Sequence, residues 1–352
     1  MTAASPQVPL LSVCIPAYNR GRWLADRVRE WLANASDDGL EVVVSDNASS
    51  DDTFAALSEI SDPRLALLRN NANVGAFENQ LRAFEAARGR YVMQLTDKDE
   101  ILPGGIASAL EALSGLDAVC GEFVLNGDGT SPETVRVDRG FAAFRRHGLA
   151  FTHPSGHFFS SAALREFGLL ARLRALDPVV RPYSTDYLVS LALCHGAYAV
   201  VDMPFVRMNK PPYEGIAASV SYRDPSEYYF TPPFLLKEFA EYMRFLRRDT
   251  RLSALRRLRL TARLAGGQVF SQMTAWYRWG LESDAMCAWY GMSAEFRERE
   301  RGRDLERDAA DALRGMEGVG MLERFAVRTG VARRLRRSSD YVIPANISGG
   351  AK

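Results

Sequence analysis

The sequence predicts an α/β fold in which a mainly parallel sheet is flanked by helices, with an α-helical region at the C-terminal end. Two observations carry this prediction. Apolar runs typical of buried strands alternate with helical patterns through the first third of the chain. Beyond residue 225 the spacing of apolar residues is helical and strand signals are few.

Successive elements of the first third are defined by these runs and by the turns between them. Strands are predicted at 10–16, 40–45, 65–69, 90–96 and 118–125, and helices at 23–33, 52–60, 76–87 and 104–113. The first four strands run into polar turns at 17–21, 46–53, 69–75 and 97–100. In open α/β sheets ligands bind beyond the carboxyl ends of the strands, so these turns are expected to face one site.

The middle of the chain is less regular, and helices follow it. An aromatic, histidine-bearing loop at 151–159 is predicted to lead into a helix, a second helix begins at Ser184, and a strand follows at 198–201. Further helices are predicted at 226–248, 251–280, 283–299 and 302–316. The predicted domains are an α/β domain at 1–224, a helical region at 225–318 and a basic segment with a tail at 319–352.

Composition excludes several classes of protein. The chain has 352 residues and a net charge of +1, which gives no general attraction to nucleic acid. Its four cysteines form no CxxC pair, which favours reduced thiols in a cytoplasmic protein. No basic region precedes the first apolar run, so no signal peptide is expected, and no apolar stretch is long enough to span a bilayer. The glycine motifs of dinucleotide enzymes and P-loop proteins are absent from the sequence.

Asp97 and Asp99 are the most informative residues, because they end a strand that otherwise reads as buried. Burying two carboxylates without partners is costly, so a strand that ends in them is a poor core element. Hard divalent cations prefer such oxygens. Their spacing directs both side chains at one point when the backbone is extended. The sequence therefore predicts that both are metal ligands; an acidic, solvated turn is the alternative.

The turns resemble those of the family 2 glycosyltransferases, which have the GT-A fold. The resemblance is carried by Pro16-Ala17-Tyr18-Asn19-Arg20, Ser45-Asp46-Asn47-Ala48-Ser49-Ser50-Asp51, Asn73-Val74-Gly75 and the Asp97/Asp99 pair before Leu102-Pro103-Gly104. It covers residues 10–125 well and extends more loosely to 210. It implies that the α/β domain is catalytic, with a nucleotide-sugar donor, a Mg or Mn ion and inversion at the anomeric carbon.

The same resemblance implies roles for individual residues. The floor under the base and ribose is formed by Pro16, Ala17, Tyr18 and Asn19. Asp46 and Asn47 recognise the edge of the nucleobase, unless they only cap the following helix. Arg69 and Asn73 approach the donor. Asp97 faces the ribose, Asp99 is the usual metal ligand, and Lys98 occupies the variable position between them.

Asp186 is the candidate general base. It lies at a predicted helix start, where similar enzymes carry an acidic residue. Displacement at the anomeric carbon requires the acceptor hydroxyl to lose its proton, and a positioned carboxylate can take it. The alternative is an acidic side chain that merely favours the helix N-terminus. The loop 154–157 is expected to border the acceptor site; the four-residue spacing of His153 and His157, with Pro154 and Gly156 between them, does not favour a zinc pair.

Three functions remain open at this point. The leading one is an inverting, metal-dependent glycosyltransferase that uses a UDP-, dTDP-, GDP- or CDP-sugar and a glycan, lipid-linked or soluble acceptor. The second is a non-catalytic binding or scaffold protein of the same fold. The third is a nucleotidyltransferase, although the turn at 16–21 lacks the glycine-rich, basic loop that such an enzyme needs.

The segment from Met321 to Arg337 interleaves arginines with apolar residues. A helix with this pattern has an apolar side and a strongly cationic side, which is typical of helices that lie on anionic membranes. The expectation is a cytoplasmic protein in which this segment is a solvated helix docked on its own domain. The alternative is peripheral contact of the segment with the inner face of the membrane.

Overall fold

The computed structural model describes residues 8–35, 39–124, 134–150, 153–209, 232–265 and 292–301, with isolated positions at 281, 284, 287, 321, 322, 324, 325, 327 and 329. The chain divides into two compact units. The first comprises residues 1–148, 152–176 and 183–219, and the second comprises 149–151, 177–182 and 220–352. The predicted boundary between 224 and 225 lies outside the described residues and stays a prediction, as do the other predicted domain limits.

The first unit is built on a mixed sheet of eight strands. In chain order the described strands are β1 (Leu11–Ala17), β2 (Leu40–Asp46), β3 (Leu65–Arg69), β4 (Tyr91–Gln94), β5 (Glu100–Ile101), β6 (Cys120–Phe123), β7 (Thr134–Asp138), β8 (His157–Ser160), β9 (Tyr198–Asp202) and β10 (Val206–Arg207). The order in the sheet is β3-β2-β1-β4-β8-β6-β9-β7, and β5 pairs separately with β10. Strands β7 and β8 run antiparallel to their neighbours, and the other neighbouring pairs are parallel.

Helices connect and cover these strands. The described helices of the first unit are α1 (Gly21–Asn34), α2 (Thr53–Ser58), α3 (Ala76–Ala86), α4 (Gly105–Leu113), α5 (Gly140–His147), α6 (Ser161–Glu166), α7 (Leu169–Arg174) and α8 (Ser184–Ala192). Helix α1 shows why they form: Leu24, Val28, Trp31 and Leu32 follow helical spacing and are all buried. Because both faces of a parallel sheet are covered, β1 and β2 are almost entirely buried along their length.

Sequence and structure agree closely up to residue 124. The five predicted strands and four predicted helices of this part are all present, with ends that differ by no more than a few residues. The predicted α/β class with a mainly parallel sheet is confirmed. Helix α8 and strand β9 are also where the sequence predicts them.

Strand β8 differs from the prediction. The loop that was expected to lead straight into a helix instead forms β8, which inserts between β4 and β6 before α6 begins at Ser161. Phe158 and Phe159 are fully buried there, because both faces of the strand are covered. Two phenylalanines followed directly by helical spacing do not distinguish a buried strand from the first turn of a helix.

The described part of the second unit is helical, as predicted. It contains α9 (Pro232–Arg248), α10 (Ala254–Leu264) and α11 (Ala294–Arg301). Helix α9 buries Leu235, Phe239 and Tyr242 on one stripe, and the hydroxyl of Ser253 caps the start of α10. The remaining predicted helical stretches lie largely outside the described residues. Among the described helices, none combines the length and the apolar character needed to cross a membrane.

Candidate active site

The candidate site lies where the strand order reverses. Strand β1 has β2 on one side and β4 on the other, so the chain leaves β1 in one direction and later returns to its opposite side. Such a switch point opens a crevice beyond the carboxyl ends of the strands. The turns after β1, β2 and β4 carry the predicted site residues, and hydrogen bonds join all three turns.

The turns after β1 and β2 are fastened to each other. Asn19 lies in the left-handed region with a φ of 52°, and its side-chain oxygen accepts a hydrogen bond from the Ser50 N–H at 2.9 Å. The N–H groups of Arg20 and Gly21 both donate to Thr53 Oγ1 at 2.7 Å. The donors that open α1 are therefore satisfied by the neighbouring turn, which fixes the position of Tyr18.

Asp97 is held by the turn after β1. Its Oδ2 accepts a hydrogen bond from the Tyr18 N–H and forms an ion pair with Arg20 Nε, both at 3.0 Å. Burial raises the pKa of Asp97, and the charge of Arg20 only partly opposes this effect. Its Oδ1 accepts no hydrogen bond from any residue that the structure describes. Asp97 is thus a buried carboxylate with one engaged oxygen and one open oxygen.

Asp99 is fully buried and is surrounded by donors. Its Oδ2 lies 2.6 Å from Thr96 Oγ1, 2.5 Å from Ser155 Oγ and 2.5 Å from His153 Nε2. Its Oδ1 accepts a hydrogen bond from the Asn209 N–H at 3.0 Å and from no other residue that the structure describes. Burial raises the pKa of Asp99, but these partners, with His153 foremost, outweigh burial and hold the pKa below its usual value.

The loop that bears these acids is closed by a distant part of the chain. The pair β5–β10 joins Glu100 and Ile101 to Arg207 and Val206. Just beyond this pair, Asn209 donates its side-chain amide to the Lys98 carbonyl at 2.6 Å. The main chain of the acidic loop is therefore fixed on both sides of Asp99.

Asp46 and Asn47 follow β2, as predicted, and both are buried. Asp46 accepts hydrogen bonds from the Ser49 N–H at 3.3 Å and lies 3.5 Å from Arg69 Nε. Asn47 donates to Asn73 Oδ1 at 2.9 Å, and its own oxygen accepts from the Val74 N–H at 2.9 Å. The structure therefore brings the four predicted nucleotide-side residues together, and their contacts with one another shape this wall of the crevice.

A buried asparagine supports that wall from below. Asn79, on α3, accepts hydrogen bonds from Ser45 Oγ at 2.7 Å and Asn70 Nδ2 at 2.8 Å, and it donates to the Ser45 carbonyl at 2.8 Å. Asn70 in turn donates to Asn47 Oδ1 at 3.1 Å. The turns after β2 and β3 are thus joined through side-chain amides, whose paired donors and acceptors suit this task.

Asp186 lies in the first turn of α8 and is buried. The neighbouring Thr185 hydroxyl donates to Gln94 Oε1 at 2.9 Å, which ties this turn to the end of β4, three residues before Asp97. Burial, followed by the charges of nearby groups that include Glu122 and Asp186, raises the pKa of Tyr198. The predicted base therefore lies at the β4 side of the site, with a position fixed by its own helix.

His153 and His157 face different partners. His157 Nε2 lies 3.7 Å from Glu122, whereas His153 contacts Asp99. The loop between them is tied to the sheet, because the Gly156 N–H donates to the Gln94 carbonyl at 2.9 Å and the Phe123 N–H donates to the Gly156 carbonyl at 3.0 Å. The two histidines therefore contact different carboxylates.

The site suits a hard divalent cation that other ligands help to hold. Among the described residues, no group of three or more His, Cys, Asp or Glu side chains is arranged to hold a metal ion by itself. Within the described part of the chain, no residue donates to Asp97 Oδ1, and Asn209 alone donates to Asp99 Oδ1, which can accept further bonds. Two carboxylate oxygens fit Mg or Mn, because these ions are commonly bound by one or two carboxylates and complete their coordination with water and phosphate oxygens.

Sequence reasoning missed several of the side chains that hold the two acids. These are Arg20, His153, Ser155 and Asn209. Arg20 ends the first motif, so its position beside Asp97 was open to inference. The other three lie 54, 56 and 110 residues from Asp99, and no local pattern marks them as its partners.

Comparison with known proteins identifies this part of the chain. Residues 12–172 match the family model described as Glycosyl transferase family 2. This segment is a family 2 glycosyltransferase domain. The predicted relationship to this family is therefore confirmed for residues 12–172.

Two of the similar curated proteins are glucosyltransferases by name. One is the GalNAc(5)-diNAcBac-PP-undecaprenol beta-1,3-glucosyltransferase of Campylobacter jejuni, which is 31% identical over 126 residues. The other is the UDP-Glc:alpha-D-GlcNAc-diphosphoundecaprenol beta-1,3-glucosyltransferase of Escherichia coli, which is 31% identical over 90 residues. The matches cover 35% and 26% of this chain, and 40% and 36% of the relatives. The chain thus spans well under half the length of both relatives.

Solved structures show that the fold extends beyond the matched segment. The S. aureus TarS fragment 1–349 in complex with UDP-GlcNAc has a TM-score of 0.58 at 14% identity. The superposition covers 95% of this chain and 93% of the TarS fragment. The same fragment described without a ligand gives a TM-score of 0.57 at 12% identity. This likeness confirms the predicted GT-A-type architecture of the transferase domain with helices at its C-terminal end.

Proposed function

We propose that this protein transfers a sugar from a nucleoside-diphosphate sugar to an acceptor hydroxyl, with inversion at the anomeric carbon and with the help of Mg or Mn. The observation that carries the proposal is the pair of buried acids at the switch point, Asp97 and Asp99, each fixed by residues from other turns. A scaffold that had lost activity would have no need to keep two buried carboxylates, because unused buried charge destabilises the fold.

The donor is proposed to lie along the carboxyl ends of β1, β2 and β4. Tyr18 and its neighbours form the floor beneath the base and ribose, and the wall of Asp46 and Asn47 borders the base. Asp97 and Asp99 hold the cation, which supplies Lewis-acid stabilisation of the departing diphosphate. We propose UDP as the nucleotide, because the Escherichia coli relative is named for UDP-Glc and the similar TarS fragment is described in complex with UDP-GlcNAc.

Asp186 is proposed to act on the acceptor side. The acceptor oxygen attacks the anomeric carbon on the face opposite the diphosphate, and the Asp186 carboxylate takes its proton as the new bond forms. The diphosphate leaves with the electron pair of the broken bond. A group that performs this step must be held still, and the Thr185–Gln94 hydrogen bond supplies that restraint.

Two relatives have lipid-linked acceptors in their names, both carried on undecaprenol diphosphate. An acceptor of this kind is proposed here as well, because the second unit exposes apolar side chains that suit a membrane surface. Met321, Leu322 and Phe325 are 84%, 69% and 66% exposed, whereas Val327 is buried. At helical spacing the three exposed residues share one face and Val327 lies opposite. The surrounding segment, from Met321 to Arg337, contains six arginines and one glutamate, which complements an anionic lipid surface.

The decisive experiment is a donor titration. Calorimetry with UDP, GDP, CDP and dTDP, each with Mn and with EDTA, is expected to show metal-dependent binding of UDP. Asp99→Ala should abolish the metal dependence while its circular dichroism remains that of the wild type. Wild-type affinity and metal dependence in the variant would refute the assignment of Asp99.

A turnover assay separates the three candidate functions. Incubation with a panel of nucleotide sugars and Mn is expected to release nucleoside diphosphate. Release of inorganic diphosphate would instead indicate a nucleotidyltransferase. No turnover of any donor, despite binding, would indicate a scaffold.

A further inference from the structure

Asp99 receives two of its donors from the loop that precedes β8. His153 and Ser155 both lie 2.5 Å from Asp99 Oδ2, and they belong to the short stretch that precedes β8. Sequence reasoning placed this stretch beside the acceptor. Its closest described polar contacts are instead with the acid that the cation needs.

We propose that His153 and Ser155 are positioning residues, which orient the Asp99 carboxylate so that its Oδ1 side faces the cation and the donor diphosphate. With three donors on Oδ2, the carboxylate group cannot rotate without breaking several hydrogen bonds at once. Of the residues described, Asn209 alone donates to Oδ1, so this oxygen keeps acceptor capacity. The inference rests on the proposed function, since it assigns these residues to the same metal site.

The loop is built to hold this position. The Thr96 N–H donates to Ser155 Oγ at 2.9 Å, while that hydroxyl contacts Asp99, so Ser155 links the main chain of the acidic turn to its side chain. Gly156 has a φ of 89°, a conformation that favours glycine. Its N–H and carbonyl are bonded to the ends of β4 and β6, so the loop is anchored at two strands.

Anchoring of this kind distinguishes positioning from incidental contact. Because the backbone of the loop is held at both β4 and β6, the side chains of His153 and Ser155 are kept in place beside Asp99. Partners that orient a metal ligand typically change metal affinity by about 10- to 100-fold when they are removed. The effect should therefore appear in cation affinity, and it should be absent from the metal-free affinity for nucleotide.

The test measures Mn²⁺ affinity directly. Electron paramagnetic resonance titration of Mn²⁺ alone, and then in the presence of UDP, is applied to the wild type, His153→Ala, His153→Gln and Ser155→Ala. We expect Mn²⁺ affinity to fall by about 10- to 100-fold in His153→Ala and Ser155→Ala. His153→Gln retains an N–H donor and should recover part of the loss. His195→Ala removes an exposed imidazole that stacks on Phe167, and it should leave affinity unchanged.

The outcomes separate this inference from the proposed function. Unchanged Mn²⁺ affinity in both His153→Ala and Ser155→Ala, with wild-type thermal stability, would overturn the positioning role while the function stands. Reduced Mn²⁺ affinity with no turnover of any nucleotide sugar, even by the wild type, would support the positioning role and defeat the proposed transfer. A wild type that binds no Mn²⁺, with or without UDP, would overturn both. If an alanine variant unfolds, the Mn²⁺ affinity of His153→Gln is compared with that of the wild type instead.

Discussion

Asp186 is buried, although its proposed role as a general base requires contact with the acceptor. A general base has to reach the acceptor proton, yet Asp186 is almost fully buried in the first turn of α8. A bound acceptor would cover the small part of Asp186 that is exposed. The low exposure of Asp186 before binding therefore agrees with a reaction centre from which water is excluded.

Substituting Asp186→Asn is therefore expected to separate binding from catalysis. The amide keeps the size of the side chain but cannot take a proton, so transfer should fall by at least about a hundredfold. Donor affinity, measured by calorimetry with UDP and Mn, should stay at the wild-type level. Near-normal turnover would remove Asp186 from the mechanism, and failure to fold would show that its main role is at the helix N-terminus.

Two neighbouring amides on α3 give a second prediction. Asn79 and Gln80 are both buried, but Asn79 makes three hydrogen bonds while neither amide atom of Gln80 has a described partner. Removing Asn79 leaves buried donors and acceptors unsatisfied, which costs about 1–3 kcal/mol of unfolding free energy per group. Asn79→Leu should therefore be clearly destabilising in urea unfolding.

The matched control is Gln80→Met, which removes an amide whose hydrogen bonds are not made. Its unfolding free energy should stay within about 0.5 kcal/mol of the wild type or rise. Equal destabilisation by the two variants would show that packing, and not the amide network, accounts for the effect of Asn79→Leu.

The individual acids of the site could be recognised from sequence, whereas their partners could not. Asp97 and Asp99 are conspicuous because they follow an apolar strand directly. His153 is a common residue in an irregular loop, and only the insertion of β8 beside β4 brings it to Asp99. Because this contact depends on the order of strands in the sheet, no local sequence pattern predicts it.

At the scale of elements, parallel strands with long apolar runs were predictable and short antiparallel ones were not. Strands β1 and β2 each have seven residues and end in recognisable turns. Strand β8 has four residues and joins α6 without a turn, and β10 has two residues. Short strands of this kind are specified by pairing with distant segments, which local propensity does not report.

Strands β6, β8 and β9 with helix α5 bury two histidines that give the fold a pH dependence. Burial lowers the pKa of both His147 and His157. It outweighs the opposing effects of Asp138 and Glu122 on His147 and of Glu122 on His157. In the unfolded chain their pKa is about 6.5. As the pH falls below that value, the unfolded state binds protons that the folded state does not, so the unfolding free energy decreases.

Urea unfolding at pH 7.5, 6.5 and 5.5 should show this loss of stability. His157→Gln removes one of the two buried titrating groups and should reduce the loss over this pH range. His195→Gln changes an exposed histidine and should leave the wild-type pH dependence intact. An identical slope in His157→Gln and the wild type would exclude His157 as a source of the effect.

At the scale of the whole molecule, the match to known glycosyltransferases and the exposed apolar residues occur in different parts of the chain. The family match ends at residue 172, and Met321, Leu322 and Phe325 belong to the second unit. Mutations in one part of the chain should therefore affect donor binding and sugar transfer, and mutations in the other part should affect membrane binding.

Liposome flotation tests this separation. The full chain is expected to float with vesicles that contain anionic lipid, but not with neutral vesicles, and salt should weaken the binding because surface charges are screened. A variant with Met321, Leu322 and Phe325 all changed to serine should lose flotation while it keeps Mn-dependent UDP binding. Flotation equal to that of the wild type would rule out this face as the contact, and an acceptor in solution would then be favoured.

The insertion of β8 between β4 and β6 also affects the order in which the protein can fold during synthesis. Strand β4 is complete at Gln94, but its second neighbour is not made until His157–Ser160 has left the ribosome. Over the intervening residues the strand that leads to Asp97 has an unpaired edge, which is a template for pairing with other chains. A fragment that ends near residue 125 would keep every sequence motif of the donor side and yet be prone to aggregation, so attempts to minimise this domain must extend past β8.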